Sequence, residues 1–378
     1  MFLEHETPTR HNISLRRHIM SLDRRQLLRG SLAIGAAAVP FGALAAPAHG
    51  IVREPQAQAP RTGFSLALLD ANNQIITNHH TRDIRNGKFG KPWATFRTGQ
   101  GSKAWDPLEL KFRKLQSGES AFLICGGDRT EGHMTIHRNS DGTPLGWVSG
   151  LTNFPHSLEY LSTPDVIIVV GTQGLDSLDP KPPEAGRSGG CYELYLAPTR
   201  GSAGPLQKIP VQDEDRAFRQ AHGVVWDETK QFLWIFGGNK IRAYTVTGKR
   251  EHTRLKRAKD KEGKDIELVS SLFENGHDLQ PDPLEPQYLW ATSSKEIIQI
   301  NKAGGYPRIQ WSIPARSAKS FSRDRSGSAI WTSDTKGNAY GDDKVRFLWS
   351  SMTDPVTAER VSGETKDKWI YKARLLDI

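Results

Sequence analysis

The sequence predicts an all-β protein built from one repeated unit, and three observations support this. From Gly63 onward, apolar segments are four to seven residues long and are separated by Gly, Asp, Asn and Pro, which is typical of short antiparallel strands. Helical periodicity is nearly absent from the same stretch. The same strand–turn–strand pattern begins four times with one polar residue, called here a head residue: His156, His222, His277 and Lys319.

The interval between a head residue and a Gly or Trp in the following strand recurs along the chain. It is 15 residues for two pairs and 12 or 13 for three others: His156–Gly171, His222–Gly237, His222–Trp234, His277–Trp290 and Lys319–Trp331. Successive head residues are 42 to 66 positions apart. Strand units with this period predict a β-propeller, in which four-stranded antiparallel sheets, the blades, surround a central channel. Six blades are expected, and seven remain open.

The predicted propeller is a single domain over residues 60–378. Its blades are expected near 60–100, 101–150, 151–208, 209–268, 269–314 and 315–378. The last apolar segment, Lys368–Leu376, is expected to pair with Phe64–Leu69 and so to close the ring. A closed ring removes exposed strand edges, because each blade is covered by its neighbours.

Residues 1–48 are expected to lie outside the fold. The pair Arg24-Arg25 precedes a short run of apolar and small residues, and Ala43-Leu44-Ala45 offers a cleavage site. This order resembles a twin-arginine export signal. Because Met20 stands directly before it, residues 1–19 are interpreted as a mis-annotated start. The mature protein is expected to be periplasmic or secreted, without a membrane segment.

Charge and cysteine content restrict the partners. The formal net charge of +9 falls to +6 without residues 1–45, because that segment holds six Arg and three acidic residues. A basic exported protein favours acidic partners such as uronate-bearing oligo- or polysaccharides, and a monomer that binds no nucleic acid is expected. No glycine-rich nucleotide loop and no Cys-x-x-Cys haem motif is present. Whether Cys125 and Cys191 form a disulfide is left open by the sequence.

The four head residues are expected to meet at the channel axis, since the innermost strand of every blade lines it. Three imidazoles are suitable ligands for a divalent Mn, Zn or Fe ion, which His156, His222 and His277 would hold. Lys319 or His222 would then act as general base. Two alternatives remain: a polar ligand site without metal, and a structural role in which each imidazole hydrogen-bonds the backbone of a neighbouring blade and so holds the ring together.

Three further residues are candidates for substrate binding. Trp105 and Asp106 precede a blade and are expected at the channel mouth, where the indole can stack on a sugar ring. Core packing of Trp105 is the alternative. Arg129 lies in a turn after a second strand and is expected to be exposed. Strand alternation places Glu159 on the face opposite to His156, where it would bond to the neighbouring blade.

At the level of families, the order Trp105-Asp106-Pro107, then a glycine-rich turn, then Asn153-Phe-Pro-His156-Ser-Leu-Glu159 resembles a group of secreted bacterial β-propellers of unknown function. In register and residue type, the histidine-headed blades are also similar to the propellers of oligogalacturonate lyase. That similarity implies a central manganese site held by several histidines.

The resulting expectation is a metal-assisted lyase that acts on a uronate-containing glycan. The metal would neutralise the uronate carboxylate and acidify the neighbouring proton, which Lys319 or an unliganded histidine would remove. A propeller that binds a glycan or protein without catalysis is the alternative. A lactonase or hydrolase is less favoured, because such sites rely on carboxylates and asparagines while the head residues are His and Lys. The sequence leaves open whether the protein is an enzyme.

Overall fold

The computed structural model describes residues 63–98, 105–127, 130–173, 189–201, 203–211, 216–335, 337, 340–348, 355–358, 360 and 366–376. All of them belong to one compact unit, Glu54–Ile378. The expected export region and Arg129 lie outside the described residues, so both stay predictions. No helix in the described ranges has the length and apolar character needed to cross a membrane.

Alternating apolar residues and turn residues give 26 strands in the described ranges. The first three blades are built from β1 Ser65–Asp70, β2 Ile75–His80, β3 Ala94–Arg97, β4 Pro107–Lys114, β5 Ser120–Gly127, β6 Gly132–Arg138, β7 Pro144–Leu151, β8 Pro155–Leu161, β9 Val166–Gly171, β10 Cys191–Leu196, β11 Gly204–Pro205 and β12 Lys208–Ile209. The other three are built from β13 Ala221–Asp227, β14 Phe232–Gly237, β15 Lys240–Thr247, β16 Arg254–Arg257, β17 Glu267–Val269, β18 Asp278–Pro281, β19 Tyr288–Thr292, β20 Glu296–Asn301, β21 Arg308–Pro314, β22 Ala318–Arg323, β23 Ala329–Ser333, β24 Lys344–Leu348 and β25 Val356–Thr357. The last strand, β26 Ile370–Leu376, belongs to the first blade. Four single-turn 3-10 helices lie between strands, at Thr81–Asp83, Arg250–His252, Ser271–Phe273 and Ala303–Gly305.

These strands form six sheets, so the predicted six-bladed propeller is confirmed. The sheet orders are β26-β1-β2-β3, β11-β7-β6-β5-β4, β12-β10-β9-β8, β13-β14-β15-β16 with β17 beside β15, β18-β19-β20-β21 and β22-β23-β24-β25. Two blades therefore differ from the expected four strands. The short strand β11 joins the second blade and runs parallel to β7. It comprises two residues, and Pro205 has no N–H with which to extend the pairing.

The predicted closure of the ring is confirmed. Strand β26 pairs antiparallel with β1 from Ser65–Leu376 to Asp70–Ile370. It thereby supplies the innermost strand of the first blade, while the other three strands of that blade come from the beginning of the domain. The inner strands of the six blades are thus β26, β4, β8, β13, β18 and β22.

The apolar core lies between the blades, because each sheet presents one face to each neighbour. A representative cluster joins Ile168 and Val170 of the third blade to Val224 and Ile235 of the fourth, and all four are fully buried or nearly so. Polar residues stabilise the turns that connect consecutive strands within a blade. For example, the carboxylate of Asp282 accepts N–H bonds from Leu284 and Glu285 at 3.0 and 3.1 Å, which gives this turn residue a structural role.

The two cysteines do not pair. Cys125 in β5 and Cys191 in β10 are both buried and are not joined by a disulfide. Burial raises the pKa of the Cys125 thiol well above its ordinary value, so this thiol is protonated and unreactive at neutral pH.

Gly237 allows the end of β14 to approach the turn before β13, and this gives a testable prediction. A Cβ at Gly237 would overlap the carbonyl oxygen of Gln220. We therefore expect Gly237→Ala to lower the free energy of unfolding by about 1–3 kcal/mol in a denaturant titration. Gly204→Ala is the control, because no atom lies within 4 Å of its added Cβ. Equal effects of the two changes would contradict the argument.

Candidate functional site

An extra residue interrupts strand pairing at the start of the inner strands. In β8, Pro155 and Ser157 pair with the adjacent residues Gly171 and Val170, and His156 between them is unpaired. Such a bulge turns one side chain away from the sheet. Bulges of the same kind place His222, Lys319, Leu108 and Tyr371.

His277 occupies the same place directly before β18, with its N–H bonded to the Thr292 carbonyl at 3.1 Å. Six equivalent positions therefore surround one end of the channel. We call them the head ring, and its members in blade order are Tyr371, Leu108, His156, His222, His277 and Lys319.

A second local feature separates the four polar members of the head ring from the two others. The residue two positions before each polar member has a positive φ: Phe154 at 43°, Gln220 at 50°, Asn275 at 52° and Ser317 at 51°. Side chains other than Gly disfavour this region by about 1–2 kcal/mol per residue. The corresponding residues before Leu108 and Tyr371 do not adopt it. Backbone strain of this kind concentrates at functional sites, and here it coincides with the His and Lys positions.

The four polar side chains form a continuous arc. The ring centroids of His156 and His222 are 4.5 Å apart, and those of His222 and His277 are 5.8 Å apart. The ammonium nitrogen of Lys319 lies 3.2 Å from Nε2 of His277. The predicted convergence of the four head residues is therefore what the structure shows.

The strained turns orient two of the imidazoles. Nδ1 of His156 lies 2.9 Å from the Phe154 carbonyl oxygen, and Nδ1 of His222 lies 2.7 Å from that of Gln220. A carbonyl only accepts, so Nδ1 carries the proton in both rings and Nε2 of the neutral ring keeps its lone pair. His277 differs, because its Nε2 meets Lys319 while its Nδ1 is buried without a hydrogen-bond partner among the described residues.

Burial and neighbouring positive charge disfavour the charged forms of His156, His277 and Lys319. Desolvation, together with the nearby His222, holds the pKa of His156 well below 6.5. Desolvation and the adjacent Lys319 do the same for the pKa of His277. Desolvation also lowers the pKa of Lys319 to about 8, against which the Asp334 carboxylate acts. Near pH 8 the arc thus holds a lysine that exchanges its proton readily, beside neutral imidazoles.

Lys372 lies directly beneath this arc. Its ammonium donates to the backbone carbonyls of His277 and Lys319 at 2.6 and 2.8 Å, so one buried cation fixes two head residues. Desolvation lowers the pKa of Lys372. The nearest carboxylate oxygen, on Asp278, is 3.6 Å away and supplies partial compensation.

A buried ion network closes the channel below Lys372. Arg374 donates to both carboxylate oxygens of Asp278, at 2.7 and 2.8 Å, and to Glu109 at 2.6 Å. Glu159 accepts from Arg113 at 2.6 Å and from Lys111 at 3.3 Å. Together with Lys372, these residues form a set of seven that we call the axial network: Glu109, Lys111, Arg113, Glu159, Asp278, Lys372 and Arg374. The ion pairs of this network connect different blades at the axis, so we call the network the central tie of the ring. The expected bond from Glu159 to a neighbouring blade is confirmed by its contact with Arg113.

The remaining members of the head ring are apolar or aromatic. Leu108 and Tyr371 are 2% and 4% exposed and cluster with Ala71, against which Phe154 and Tyr340 pack. Phe154 also contacts His156 edge-on, with ring centroids 4.5 Å apart. Four adjacent members of the head ring are therefore polar, and the other two are packed with apolar groups.

Of the predicted substrate-binding residues, Trp105 is buried in the core and Asp106 lies at the start of the second blade. Trp105 is 6% exposed and stacks on His133 with ring centroids 5.5 Å apart, so the alternative of core packing accounts for its contacts. Asp106 stands two residues before Leu108, at the register of Gln220, and its backbone carbonyl accepts from Gly127 at 2.8 Å. A substrate role for both residues stays a prediction.

The metal hypothesis also stays a prediction. The Nε2 atoms of His156 and His222 are suitable for a metal, since their Nδ1 atoms are held by carbonyls as in many metal centres. Nε2 of His277 could bind the same metal only if its hydrogen bond with Lys319 were broken. Within the described ranges, no group of three or more His, Cys, Asp and Glu side chains has the arrangement of a metal site.

Sequence reasoning missed Leu108, Tyr371 and every member of the axial network except Glu159. The signal was present: Tyr371-Lys-Ala-Arg and Leu108-Glu-Leu-Lys have the same alternation of an apolar head and two charged residues. It was hidden because neither stretch carries a polar residue at the head position.

Comparisons with known proteins do not identify a family or an activity for this chain. No family model matches the sequence, and no curated protein matches it. Among solved structures, the chain is similar to a candidate 6-phosphogluconolactonase from Bacteroides uniformis, at 10% identity over 79% of this chain and 82% of that chain, with a TM-score of 0.46. A protein of unknown function from Bacteroides caccae is 8% identical over 84% and 100%, also with a TM-score of 0.46. Likeness at this level carries no argument about activity, and the propeller assignment rests on the six sheets themselves.

Proposed function

We propose that the head ring binds the carboxylate-bearing sugar unit of a uronate glycan and that the protein cleaves it as a lyase. The observation that supports this best is the pair of Lys319 and His277, with Nζ and Nε2 3.2 Å apart, beside two further imidazoles. An amine with a pKa of about 8 is suited to remove a weakly acidic proton near neutral pH.

In the proposed reaction, neutral Lys319 takes the proton from the carbon that bears the carboxylate. The electron pair forms a double bond to the next carbon, and the glycosidic oxygen on that carbon leaves. Lys319 then returns its proton to the leaving oxygen, so one group serves as base and acid. His277 positions the amine through their shared bond.

The other imidazoles would orient the sugar. With Nδ1 held by carbonyls, Nε2 of His156 and Nε2 of His222 can accept bonds from sugar hydroxyls. Lys372 beneath the arc contributes positive potential for the carboxylate. A divalent ion held by His156 and His222 would neutralise the carboxylate more completely and acidify the adjacent proton.

One observation favours binding without catalysis as a second candidate. The bonds from His156 and His222 to Phe154 and Gln220 tie each imidazole to its own blade. Such bonds also suit a rigid surface that recognises an acidic glycan and releases it unchanged.

The direct test is to incubate protein purified without a polyhistidine tag with polygalacturonate, alginate and glucuronan, and to record the ultraviolet absorbance of the new double bond. We expect one polymer to give product and a neutral glucan to give none.

His156→Gln is expected to raise KM, because it removes a contact to the sugar while leaving Lys319 in place. Metal analysis of the same preparation, with activity before and after chelation, tests the metal hypothesis separately. Saturable binding without product would support the second candidate, and neither binding nor product would refute both.

A further inference from the structure

A cavity lies at the opposite end of the channel from the head ring, and Arg113 and Arg374 of the axial network form part of its lining. Its volume is about 240 Å³. The residues that line it stand three to six positions after the head residues on the inner strands, about 10–20 Å further along the channel. The proposed function uses none of this space.

The lining of this cavity is cationic. Four inner strands contribute its polar side chains: Arg113, Lys114, Gln280, Ser322, Arg323 and Arg374. No carboxylate is among the described lining residues. The lining thus contains three arginines and one lysine together with an amide and a hydroxyl. Arg113, whose side chain is 25% exposed, and the exposed Lys114 present the accessible positive charge. Arg323 and Arg374 are 1% and 4% exposed and are bonded to carboxylates, so they contribute to the potential of the cavity from behind its surface.

Buried carboxylates balance two of these cations from behind, and the partly exposed Glu285 lies 3.4 Å from Arg323 as a further partner. Arg113 donates to Glu159 at 2.6 Å, and Arg323 donates to Asp282 at 2.7 Å. In each of these two pairs the arginine lies on the cavity side and the carboxylate lies behind it. Because Arg113 and Arg323 are held in place by these bonds, little side-chain entropy is lost when an anion binds.

The cavity is open to solvent at Lys114 and Pro281, which are exposed. Ser322 is also available as a donor, because its oxygen accepts from the Leu375 N–H at 3.0 Å and its own proton is left for a ligand. The entrance and the donors together describe a site and not a packing defect.

We propose that this cavity binds a compact dianionic oxyanion, either free phosphate or a phosphate monoester. Guanidinium groups present paired N–H donors that match the oxygens of a phosphate. The volume is below the 300–1,000 Å³ of sites for larger organic ligands, which favours a small anion. The site is independent of the proposed lyase reaction.

Isothermal titration with inorganic phosphate tests the proposal, and glycerol phosphate in a second titration distinguishes the ester from the free ion. We expect saturable binding by the wild type that is weakened at least tenfold in Lys114→Glu, whose side chain stands at the entrance. Lys256→Glu makes the same charge change on the exposed face of the outer strand β16 and should leave the affinity unchanged.

Lys319→Met separates this cavity from the head ring, and phosphate affinity should persist in that variant. No saturable binding of either probe would overturn the proposal. So would binding that is insensitive to Lys114→Glu, or binding that is lost in Lys319→Met.

Discussion

Replacing Lys319 by Met is expected to reduce turnover of the uronate substrate at least a hundredfold without destabilising the protein at pH 7. General base catalysis contributes about 10²–10⁴ to a rate, and this variant removes the base. Its stability should not fall, because the side chain is 5% exposed and its charged form is disfavoured by burial. Measuring kcat and the urea midpoint on the same preparation tests both statements.

The pH dependence follows from the lowered pKa of Lys319. Since the reaction needs the neutral amine, kcat should rise with pH through about 8. The unfolded chain, with its lysine pKa near 10.5, binds more protons than the folded chain between about 8 and 10.5. The contribution of Lys319 to stability therefore becomes more favourable as pH rises through that window, and its penalty is fully present below about 8.

Lys319→Arg distinguishes a base from a simple positive charge. Arg keeps the charge but does not lose its proton near pH 8, so this variant should be as inactive as Lys319→Met. Substantial activity in Lys319→Arg, or a wild-type rate that falls as pH rises from 7 to 8, would contradict the assignment of Lys319 as the base.

Replacing Arg374 by Met is expected to lower the free energy of unfolding by about 3–5 kcal/mol. The change leaves Asp278 and Glu109 buried without their main cation, and removing one partner from a buried ion pair costs that much. Burial acts to raise the pKa of Asp278, but the neighbouring charges of Arg374 and Lys372 outweigh it and hold this pKa well below its usual range. Denaturant unfolding at pH 7 measures the loss.

The matched control is Arg138→Met, which also removes an Arg that bridges two carboxylates. Arg138 pairs with Glu119 at 2.8 Å and with Asp141 at 3.0 Å on the surface, where water replaces the lost contacts. Only a small change in stability is expected. A similar loss in both variants would show that the axial network is not the central tie of the ring.

The main features of the fold were predictable because they are local and repeated. The interval from His222 to Gly237 recurs from His156 to Gly171, and repetition of strands alone predicts a propeller. The ring closure by Lys368–Leu376 was predictable for a similar reason, since one apolar strand remained without a partner.

The candidate site was predictable only in part. The residue type and register of His156, His222, His277 and Lys319 are visible in the sequence, and their convergence follows from ring symmetry. Which nitrogen of His277 meets Lys319 depends on side-chain positions in two different blades, and no sequence interval encodes that contact.

The sequence by itself determined the repeat, the propeller architecture and the identity of the four polar head residues, because strand alternation and turn chemistry act over short distances. The choice of six blades over seven came from the sheets of the structure. The tertiary structure decided three other properties. It lowered the pKa of Lys319 by burial, placed Leu108 and Tyr371 in the same ring, and joined Arg374 to Asp278 and Glu109. Each of these depends on distance and desolvation between strands far apart in the chain, and those quantities exist only once the ring has closed.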